Sequence, residues 1–321
     1  MSEFQFTRDD LDRAATVVYQ TLAPTPQFAW PLLAAELGAE AWVKHENFTP
    51  TGAFKVRGGL VYFHELAAGG ALPAGVISAT RGNHGQSVGY AARKSGIAAT
   101  IVVPHGNSLE KNAAMRALGV ELIEHGTDFQ ESREYAGKLA GERKLHMIPS
   151  FHPHLVRGVA TYALELLRSV PDLATVYVPI GQGSGICGMI AAREALGLKT
   201  EIVGVVSAHA PAYKLSFDSR KLVEHAVTTE LADGMACRVP DAAALEIIWR
   251  GAARVLEVTD DEVAAAMRLY FSSTHSTAEG AGAAPLAGAW QEREKNRGRR
   301  IALVLSGGNV DRDMFAQVLA A

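Results

Sequence analysis

Residues 175–188 read "TVYVPIGQGSGICG", an apolar run followed at once by alternating glycines. A short, continuously apolar run is typical of a strand that is buried on both faces. Gly181, Gly183 and Gly185 let backbone N–H groups turn toward one point, and a helix that opens there adds partial positive charge. Ser184 adds a hydroxyl. The stretch therefore predicts a strand, an anion-binding turn and a helix, with a phosphate as the expected anion.

Two other interpretations of this turn are open. It could be a tight strand-to-helix connection without a ligand, although alternating glycines exceed what one turn needs. It could also be a dinucleotide fingerprint, because "GQGSGICG" has a similar glycine spacing. That motif requires an acidic residue at the end of the next strand, to bind a ribose hydroxyl. Here the next strand ends in Val205, Val206 and Ser207, which disfavours a dinucleotide.

Similar apolar runs alternate with helical patterns along the chain. The predicted strands cover 41–46, 75–79, 99–104, 120–124, 175–180, 201–206 and 300–306. The predicted helices cover 83–96, 107–118, 128–141, 155–169 and 259–272, and another follows a Thr7/Asp10 cap. This alternation predicts an α/β fold with mostly parallel strands. We expect two open-sheet lobes with a cleft between them: a large lobe of residues 1–70 and 152–321, and a small lobe of residues 71–151.

Composition excludes several classes of function. The 321 residues carry a formal net charge of -3, which does not favour nucleic-acid binding. No apolar run is long enough to span a bilayer, and "MSEFQFTRDD" lacks the apolar core of a signal peptide. Two cysteines, Cys187 and Cys237, cannot form a metal cluster alone. We expect a cytoplasmic protein with reduced thiols and a small-molecule ligand.

Two further loops follow predicted strands. "SATRGNHGQS" (78–87) and "SGGNVD" (306–311) place Gly and Asn where a strand ends, which is where open α/β sheets bind ligands. Asn83 lies between Gly82 and Gly85, and we predict that it contacts a ligand. For Asn309 we predict a helix cap. Lys55, in "TGAFKVR" (51–57), taken alone indicates a solvated lysine at the start of a helix.

Together these segments resemble one enzyme family. The stretches that carry the resemblance are "HENFTPTGAFKVRG" (45–58), "TRGNHGQS" (80–87), "GQGSG" (181–185), "LADG" (231–234), "AEGAGAA" (278–284) and "LSGGNVD" (305–311). They resemble the pyridoxal 5'-phosphate (PLP) enzymes of the tryptophan-synthase β fold type, fold type II, and within it the serine/threonine dehydratase and serine racemase branch. The resemblance runs in order from about residue 20 to residue 316.

The resemblance implies a role for each motif. Lys55 would form the Schiff base with the cofactor and act as the base at Cα, and Phe54 would lie against the pyridine ring. Asn83 would donate to the 3-hydroxyl oxygen of the ring, and Ser306 would bond its nitrogen. The phosphate would lie among Gly181, Gln182, Gly183, Ser184 and Gly185. Thr80 and His84 would bind the substrate carboxylate. A homodimer is also implied.

The residue at the ring nitrogen indicates the reaction. A neutral Ser306 does not enforce protonation of that nitrogen, so rapid expulsion of a β-substituent is the favoured fate of the carbanion. We therefore expect dehydration and deamination of a β-hydroxy-α-amino acid of the L-threonine or L-serine type, giving a 2-oxo acid and ammonia. The alternatives are a bulkier or acidic substrate, such as phenylserine or 3-hydroxyaspartate, a racemase, and a binder without catalysis.

The chain departs from the racemases at two places. Arg81 occupies the position of a serine that acts as an acid on the opposite face of Cα, and an arginine does not exchange its proton at neutral pH. Arg81 could engage a distal carboxylate of the substrate, or point away and pair with a surface acid. Val206 and Ala212 stand where the racemases hold a divalent cation, and neither ligates one, so we expect no metal.

Overall fold

All of the predicted strands form, and they are divided between two sheets. The computed structural model describes residues 3–70 and 72–321. The strands are β1 Gln27–Ala29, β2 Glu40–His45, β3 Gly75–Ala79, β4 Ala98–Val103, β5 Glu121–Glu124, β6 His146–Met147, β7 Thr175–Pro179, β8 Glu201–Ser207, β9 Arg254–Val258 and β10 Arg300–Leu305. The larger sheet has the order β1-β2-β10-β7-β8-β9 and the smaller one β5-β4-β3-β6. Only the β1–β2 pair is antiparallel among the pairs in these sheets.

Helices cover both faces of each sheet. They are α1 Arg8–Tyr19, α2 Pro31–Leu37, α3 Lys55–Ala68, α4 Asn83–Ser95, α5 Leu109–Ala117, α6 Phe129–Arg143, α7 Pro153–Ser169, α8 Ser184–Ala195, α9 Ala212–Ser219, α10 Ala242–Gly251, α11 Asp260–Thr274, α12 Gly280–Gln291, α13 Arg293–Asn296 and α14 Arg312–Ala320. The expected cap of α1 is confirmed, because Thr7 and Asp10 form a reciprocal capping box. None of the helices in the described ranges is long and apolar enough to cross a membrane.

The core explains why the strand sequences are continuously apolar. Along β7, Val176 and Val178 pack into the cluster formed with α7 and α8, whereas Tyr177 packs into the cluster formed with α11 and α12. Side chains alternate between the faces of a strand, so burial on both faces requires an apolar residue at every position. The same alternation occurs in β10, where Ala302 faces one cluster and Leu303 the other.

The strands that the sequence did not indicate are short or lie at sheet edges. β1 and β6 contain three and two residues. β9, "RVLEV", is an edge strand with half-exposed positions. The long segment between β8 and β9 contains α9 and α10. The lobe boundaries, 1–70 with 152–321 and 71–151, stay our proposal; residues 1, 2 and 71 lie outside the described ranges.

A buried ion network joins the elements of the larger lobe. The Arg57 side chain is fully buried on α3, and its guanidinium donates to Glu46 at 2.7 Å and to Glu165 at 2.6 Å. Lys44 on β2 also donates to Glu165. Two cations therefore balance two carboxylates where water does not reach. Each of these charges depends on its partners, because an unpaired buried charge is strongly destabilising.

We expect Arg57→Met to lower the free energy of unfolding by about 3 to 5 kcal/mol, because it leaves Glu46 and Glu165 with one cation between them. Urea denaturation of the protein without cofactor measures this loss. The control is Arg143→Met, which removes an exposed ion pair with Glu121 and is expected to cost about 1 kcal/mol or less. Equal losses in the two variants would contradict the role given to the Arg57 network.

Candidate active site

The cleft between the sheets receives the carboxyl ends of three parallel strands. Thr80 follows β3, Gly181 comes two residues after β7, and Ser306 follows β10. Parallel strands of an open sheet converge at this edge, and the loops that leave it form the usual binding crevice. The cleft has an empty volume of about 840 Å³, part of which is open to solvent.

Every site residue expected from the sequence lines this one cleft. These residues are Phe54, Lys55, Thr80, Arg81, Asn83, His84, Gly181, Gln182, Gly183, Ser184, Gly185 and Ser306. Their individual roles toward a cofactor or substrate stay predictions. Lys111, Asp233 and Glu279 share the same cleft and had been assigned no role.

Lys55 is the first residue of α3 and lies inside the cleft rather than at the surface. Its Nζ is 3.5 Å from Ser184 Oγ and 5.3 Å from the centre of the Phe54 ring. Burial lowers the pKa of the Lys55 amine to about 8, although the charge of Glu279 opposes the shift. A lysine with such a pKa is partly neutral near physiological pH, and only the neutral amine is a nucleophile or a base.

The backbone before Lys55 is paired with the strand end that carries Ser306. Phe54 N donates to Ser306 O at 3.0 Å, and Ala53 forms a bridge with Gly307. Ser306 is buried, and its hydroxyl has no hydrogen-bond partner within residues 3–70 and 72–321. The hydroxyl is therefore free for a ligand in the cleft.

The glycine-rich turn has the form of an anion cradle. Gly183 precedes α8 with φ 98°, a conformation that favours glycine. At Gly181 a Cβ would lie 2.3 Å from Gly234 O, so a side chain there would displace the neighbouring loop. The first N–H groups of α8 have no acceptor within the helix and point out of its positive end. Backbone donors and helix dipole together suit a phosphate.

Asn83 is held in one orientation by two partners. Its Nδ2 donates to Glu279 Oε1 at 2.6 Å, and its Oδ1 accepts from Asn309 Nδ2 at 2.8 Å. One of its amide N–H bonds is left for a ligand. The cap predicted for Asn309 is wrong: α14 begins after Asp311, and the second contact of Asn309 is a bond to Thr51 O. The loop turns Asn309 back toward the cleft instead of toward the helix.

The residues expected at the substrate carboxylate are grouped in the loop before α4. Thr80 Oγ1 accepts from Gly82 N at 2.9 Å and Gly85 N at 3.3 Å, which shapes the loop. His84 is buried, and burial together with the charge of Lys55 lowers its pKa to about 3, so the ring is neutral. Its Nε2 is buried without a hydrogen-bond partner. A buried polar atom of this kind is expected to find its partner in a bound ligand.

Arg81 lines the cleft as well. Its Nε is buried without a hydrogen-bond partner, and its guanidinium forms no ion pair within the described residues. Of the two arrangements that the sequence left open, pairing with a surface acid is therefore not the one observed. The lysines on the cleft wall, in contrast, have carboxylates near them. The charge of Glu279 acts on Lys55, and Lys111 Nζ is 2.7 Å from Asp233 Oδ2.

Sequence reasoning missed Lys111, Asp233 and Glu279. Asp233 and Glu279 lie in "LADG" and "AEGAGAA", which carried the resemblance without a task of their own. These two motifs could have identified Asp233 and Glu279 from the sequence. Lys111 lies in a helix whose pattern gives no indication of a site. Val206 and Ala212 are buried apolar residues of β8 and α9 and offer no side-chain ligand to a cation.

The site has the parts that a phosphorylated aldehyde cofactor requires. A partly neutral lysine, an aromatic ring beside it, a glycine cradle at a helix N-terminus, an oriented amide and a buried serine hydroxyl line one space. The family model described as "Pyridoxal-phosphate dependent enzyme" matches residues 18–307. The chain belongs to this family, and PLP is its cofactor.

The relatives fall in the dehydratase and racemase branch. An L-threonine ammonia-lyase of Geobacter sulfurreducens is 36% identical over 277 residues, which are 86% of this chain and 69% of that protein. The structure of maize serine racemase superposes with a TM-score of 0.90 at 25% identity, covering 98% of this chain and 97% of the other. That of a PLP-dependent aspartate racemase gives 0.92 at 26% identity, covering 99% and 100%.

We expect Gly181→Ala to weaken PLP binding by about tenfold or more, since a Cβ 2.3 Å from Gly234 O forces the cradle to open. Titration of the apoprotein with PLP, followed by protein fluorescence, measures the affinity. Gly137→Ala is the matched control, because nothing lies within 4 Å of a Cβ at that helical position. If the Gly181 variant binds PLP as tightly as the native protein, the glycine-rich turn is not the phosphate site.

Proposed function

We propose that the protein is a PLP-dependent ammonia-lyase that dehydrates and deaminates L-threonine or L-serine. The observation that carries the proposal is a lysine amine of lowered pKa that shares one cleft with a neutral serine hydroxyl at a strand end. The printed names of the relatives support it, because an L-threonine ammonia-lyase is 36% identical to the chain. The products would be a 2-oxo acid and ammonia.

Bound PLP supplies an electron sink for negative charge that develops at Cα of the amino acid. Lys55 would hold the cofactor as a Schiff base, and its released amine would remove the Cα proton. Both tasks need a neutral amine, and burial lowers the pKa of Lys55 to about 8. Ser184 Oγ, 3.5 Å from Lys55 Nζ, gives the amine a polar neighbour without a charge.

The reaction type follows from the groups available at the ring nitrogen. Ser306 is a neutral residue, so it would bond the nitrogen without enforcing its protonation. The ring would then withdraw electrons less strongly than beside an acid, which favours prompt loss of the β-hydroxyl over a long-lived carbanion. Arg81 stays protonated at neutral pH and cannot return a proton to the opposite face of Cα, which disfavours racemisation.

The loop before α4 would bind the substrate carboxylate. Thr80 and His84 contribute side chains there, and the backbone N–H groups of Asn83 and His84 lie at the positive end of α4. The neutral ring of His84 has an unpartnered nitrogen, Nε2, for this purpose. Binding at this loop would leave the β-carbon of the substrate free to face the rest of the cleft.

We also propose a homodimer in the cytoplasm. The two cysteines are free and buried, which suits a reducing compartment. Phe28, Leu32 and Phe48, which precede the Lys55 turn in the sequence, are 49%, 58% and 57% exposed. Exposed apolar groups of this size support a contact with a second copy.

Replacement of Lys55 tests the proposed function. We expect Lys55→Ala to lower release of 2-oxo acid from L-threonine by about a thousandfold or more, because the variant lacks both the anchor and the base. Borohydride reduction followed by peptide analysis should label residue 55 in the native protein only. Lys94→Ala, at an exposed position late in α4, is the control. Full activity of the Lys55 variant, or a label elsewhere, would contradict the proposal.

A dicarboxylic β-hydroxy amino acid, such as 3-hydroxyaspartate, is a second candidate substrate. One observation favours it: the guanidinium of Arg81 faces the cleft without an ion partner in the described part of the chain. Planar guanidinium groups bind carboxylates in a bidentate manner. The structural likeness to an aspartate racemase, whose named substrate is dicarboxylic, is consistent with such a contact. Phenylserine would instead place an apolar ring there.

We expect Arg81→Ala to reduce kcat/KM for 3-hydroxyaspartate by at least about tenfold more than for threonine, as loss of one charged hydrogen bond requires. Oxo-acid release from threonine, serine, 3-hydroxyaspartate and phenylserine, measured side by side, gives the ratio. Arg81→Lys, which keeps the charge, serves as the control. An equal loss on mono- and dicarboxylic substrates would exclude the contact with a distal carboxylate.

A further inference from the structure

Lys111 reaches from α5 into the floor of the cleft, and the proposed reaction gives it no task. Its stem lies against Gly82, where a Cβ would be 2.4 Å from Lys111 Cδ. Its Nζ is 2.7 Å from Asp233 Oδ2 and 3.5 Å from Glu279 Oε2. One side chain thus touches the loop before Asn83 on the side of the smaller sheet and two carboxylates on the side of the larger sheet.

Glu279 connects this lysine to the predicted cofactor contact. Glu279 Oε1 accepts from Asn83 Nδ2, while Asn309 donates to Asn83 Oδ1. An amide that faces an anion through its nitrogen and a donor through its oxygen has one favourable orientation. The carboxylate lies so close to the chain that a Cβ at Gly307 would be 2.5 Å from Glu279 Oε1. No side chain can come between Glu279 and the segment after Ser306.

The negative charge of Glu279 needs a cation at this depth. Glu279 exposes 2% of its surface, and burial raises the pKa of its carboxyl. Asp233 raises that pKa further, whereas the charge of Lys111 lowers it. Burial opposes the charge of Lys111 as well, but Asp233 and Glu279 raise its pKa overall. Without Lys111, two neighbouring carboxyl groups would favour uptake of a proton.

We propose that Lys111 is a positioning residue of the cofactor site, which keeps Glu279 ionised and so holds the Asn83 amide with one N–H free for the ring oxygen of PLP. The inference rests on the proposed role of Asn83 in the proposed function. A protonated Glu279 could donate as well as accept, and it would then no longer distinguish the amide nitrogen of Asn83 from its oxygen.

The proposal predicts a difference in pH dependence. The charged groups that face Glu279 are Lys111 on α5, Asp233 in the 233–235 turn and Lys55 on α3. In the native protein, PLP affinity should rise with pH as Lys55 loses its proton, because only the neutral amine binds the cofactor. The ionisations of PLP itself act equally on every variant. Relative to the native protein, removal of Lys111 should add a second ionisation at lower pH, because loss of its charge raises the pKa of Glu279 further. PLP affinity is then lost as the pH falls through the raised pKa of Glu279.

The experiment titrates the apoproteins of Lys111→Met, Lys111→Gln and Lys111→Arg with PLP from about pH 6 to about pH 9. The two neutral variants should bind about tenfold more weakly than the native protein at the acid end and approach it at the alkaline end. Lys111→Gln keeps the stem against Gly82 and covers the case in which the Met variant does not fold. Lys111→Arg should keep the native profile. Lys138→Met removes an exposed cation on α6 as the control.

A double variant identifies the group that titrates. In Lys111→Met combined with Glu279→Gln, the second ionisation should disappear, because a glutamine at position 279 does not titrate. An affinity that falls by the same factor at every pH would assign Lys111 a packing role and overturn the proposal, as would a second ionisation that persists in the double variant. PLP binding involves no substrate, so these outcomes are independent of oxo-acid release from threonine, which tests the proposed function.

Discussion

The buried charge network around Arg57 determines where the Lys55 side chain can point. Lys55 and Arg57 are two positions apart at the start of α3, which places them about 200° apart around the helix axis. Arg57 binds Glu46 and Glu165 in the interior of the larger lobe, so Lys55 must face the opposite side, which is the cleft. Paired buried charges add little net stability but permit few arrangements. The orientation of α3 is therefore fixed by Arg57 rather than by the solvent-facing part of the helix.

Glycines let α3 approach the helices on both of its sides. A Cβ at Gly158 of α7 would be 2.4 Å from Arg57 O, and one at Gly59 of α3 would be 2.4 Å from Ser87 Oγ of α4. Ser87 Oγ in turn donates to Lys55 O at 2.7 Å. Because α4 begins with Asn83, the helix that carries the lysine and the helix that carries the asparagine are in direct contact. The two halves of the cleft are thereby positioned through the first turns of α3 and α4.

Sequence reasoning predicted the parts of the fold that obey local rules. Strands buried on both faces, such as β7 and β10, must be continuously apolar, so their patterns were readable. The loops at their carboxyl ends had to converge because parallel strands end at one edge. Short edge strands such as β6 carry too few residues for a pattern, and β9 is only partly buried. The resemblance added the family, and the family match confirms it.

The contacts among side chains of the site were not predictable in the same way. Asn309 was expected to cap a helix from its position alone, but its amide bonds Asn83, which is 226 residues away. Lys111 and Glu279 are also far apart in the sequence, and neither helix pattern nor glycine spacing indicates that they meet. Such pairs depend on how two lobes face each other, which no local pattern encodes. The resemblance identified the segments but not the charges that connect them.

The charge network around Arg57 and the cleft differ in whether their charged groups are all paired. Around Arg57, two cations meet two carboxylates and no group is left for a ligand. In the cleft, Lys111 is balanced by Asp233 and Glu279, while Arg81 has no ion partner among the described residues and Lys55 is kept partly neutral by burial. An arginine without an ion partner and a lysine of lowered pKa leave positive groups in the cleft that can receive the phosphate of PLP and, as we propose, the carboxylate of the substrate.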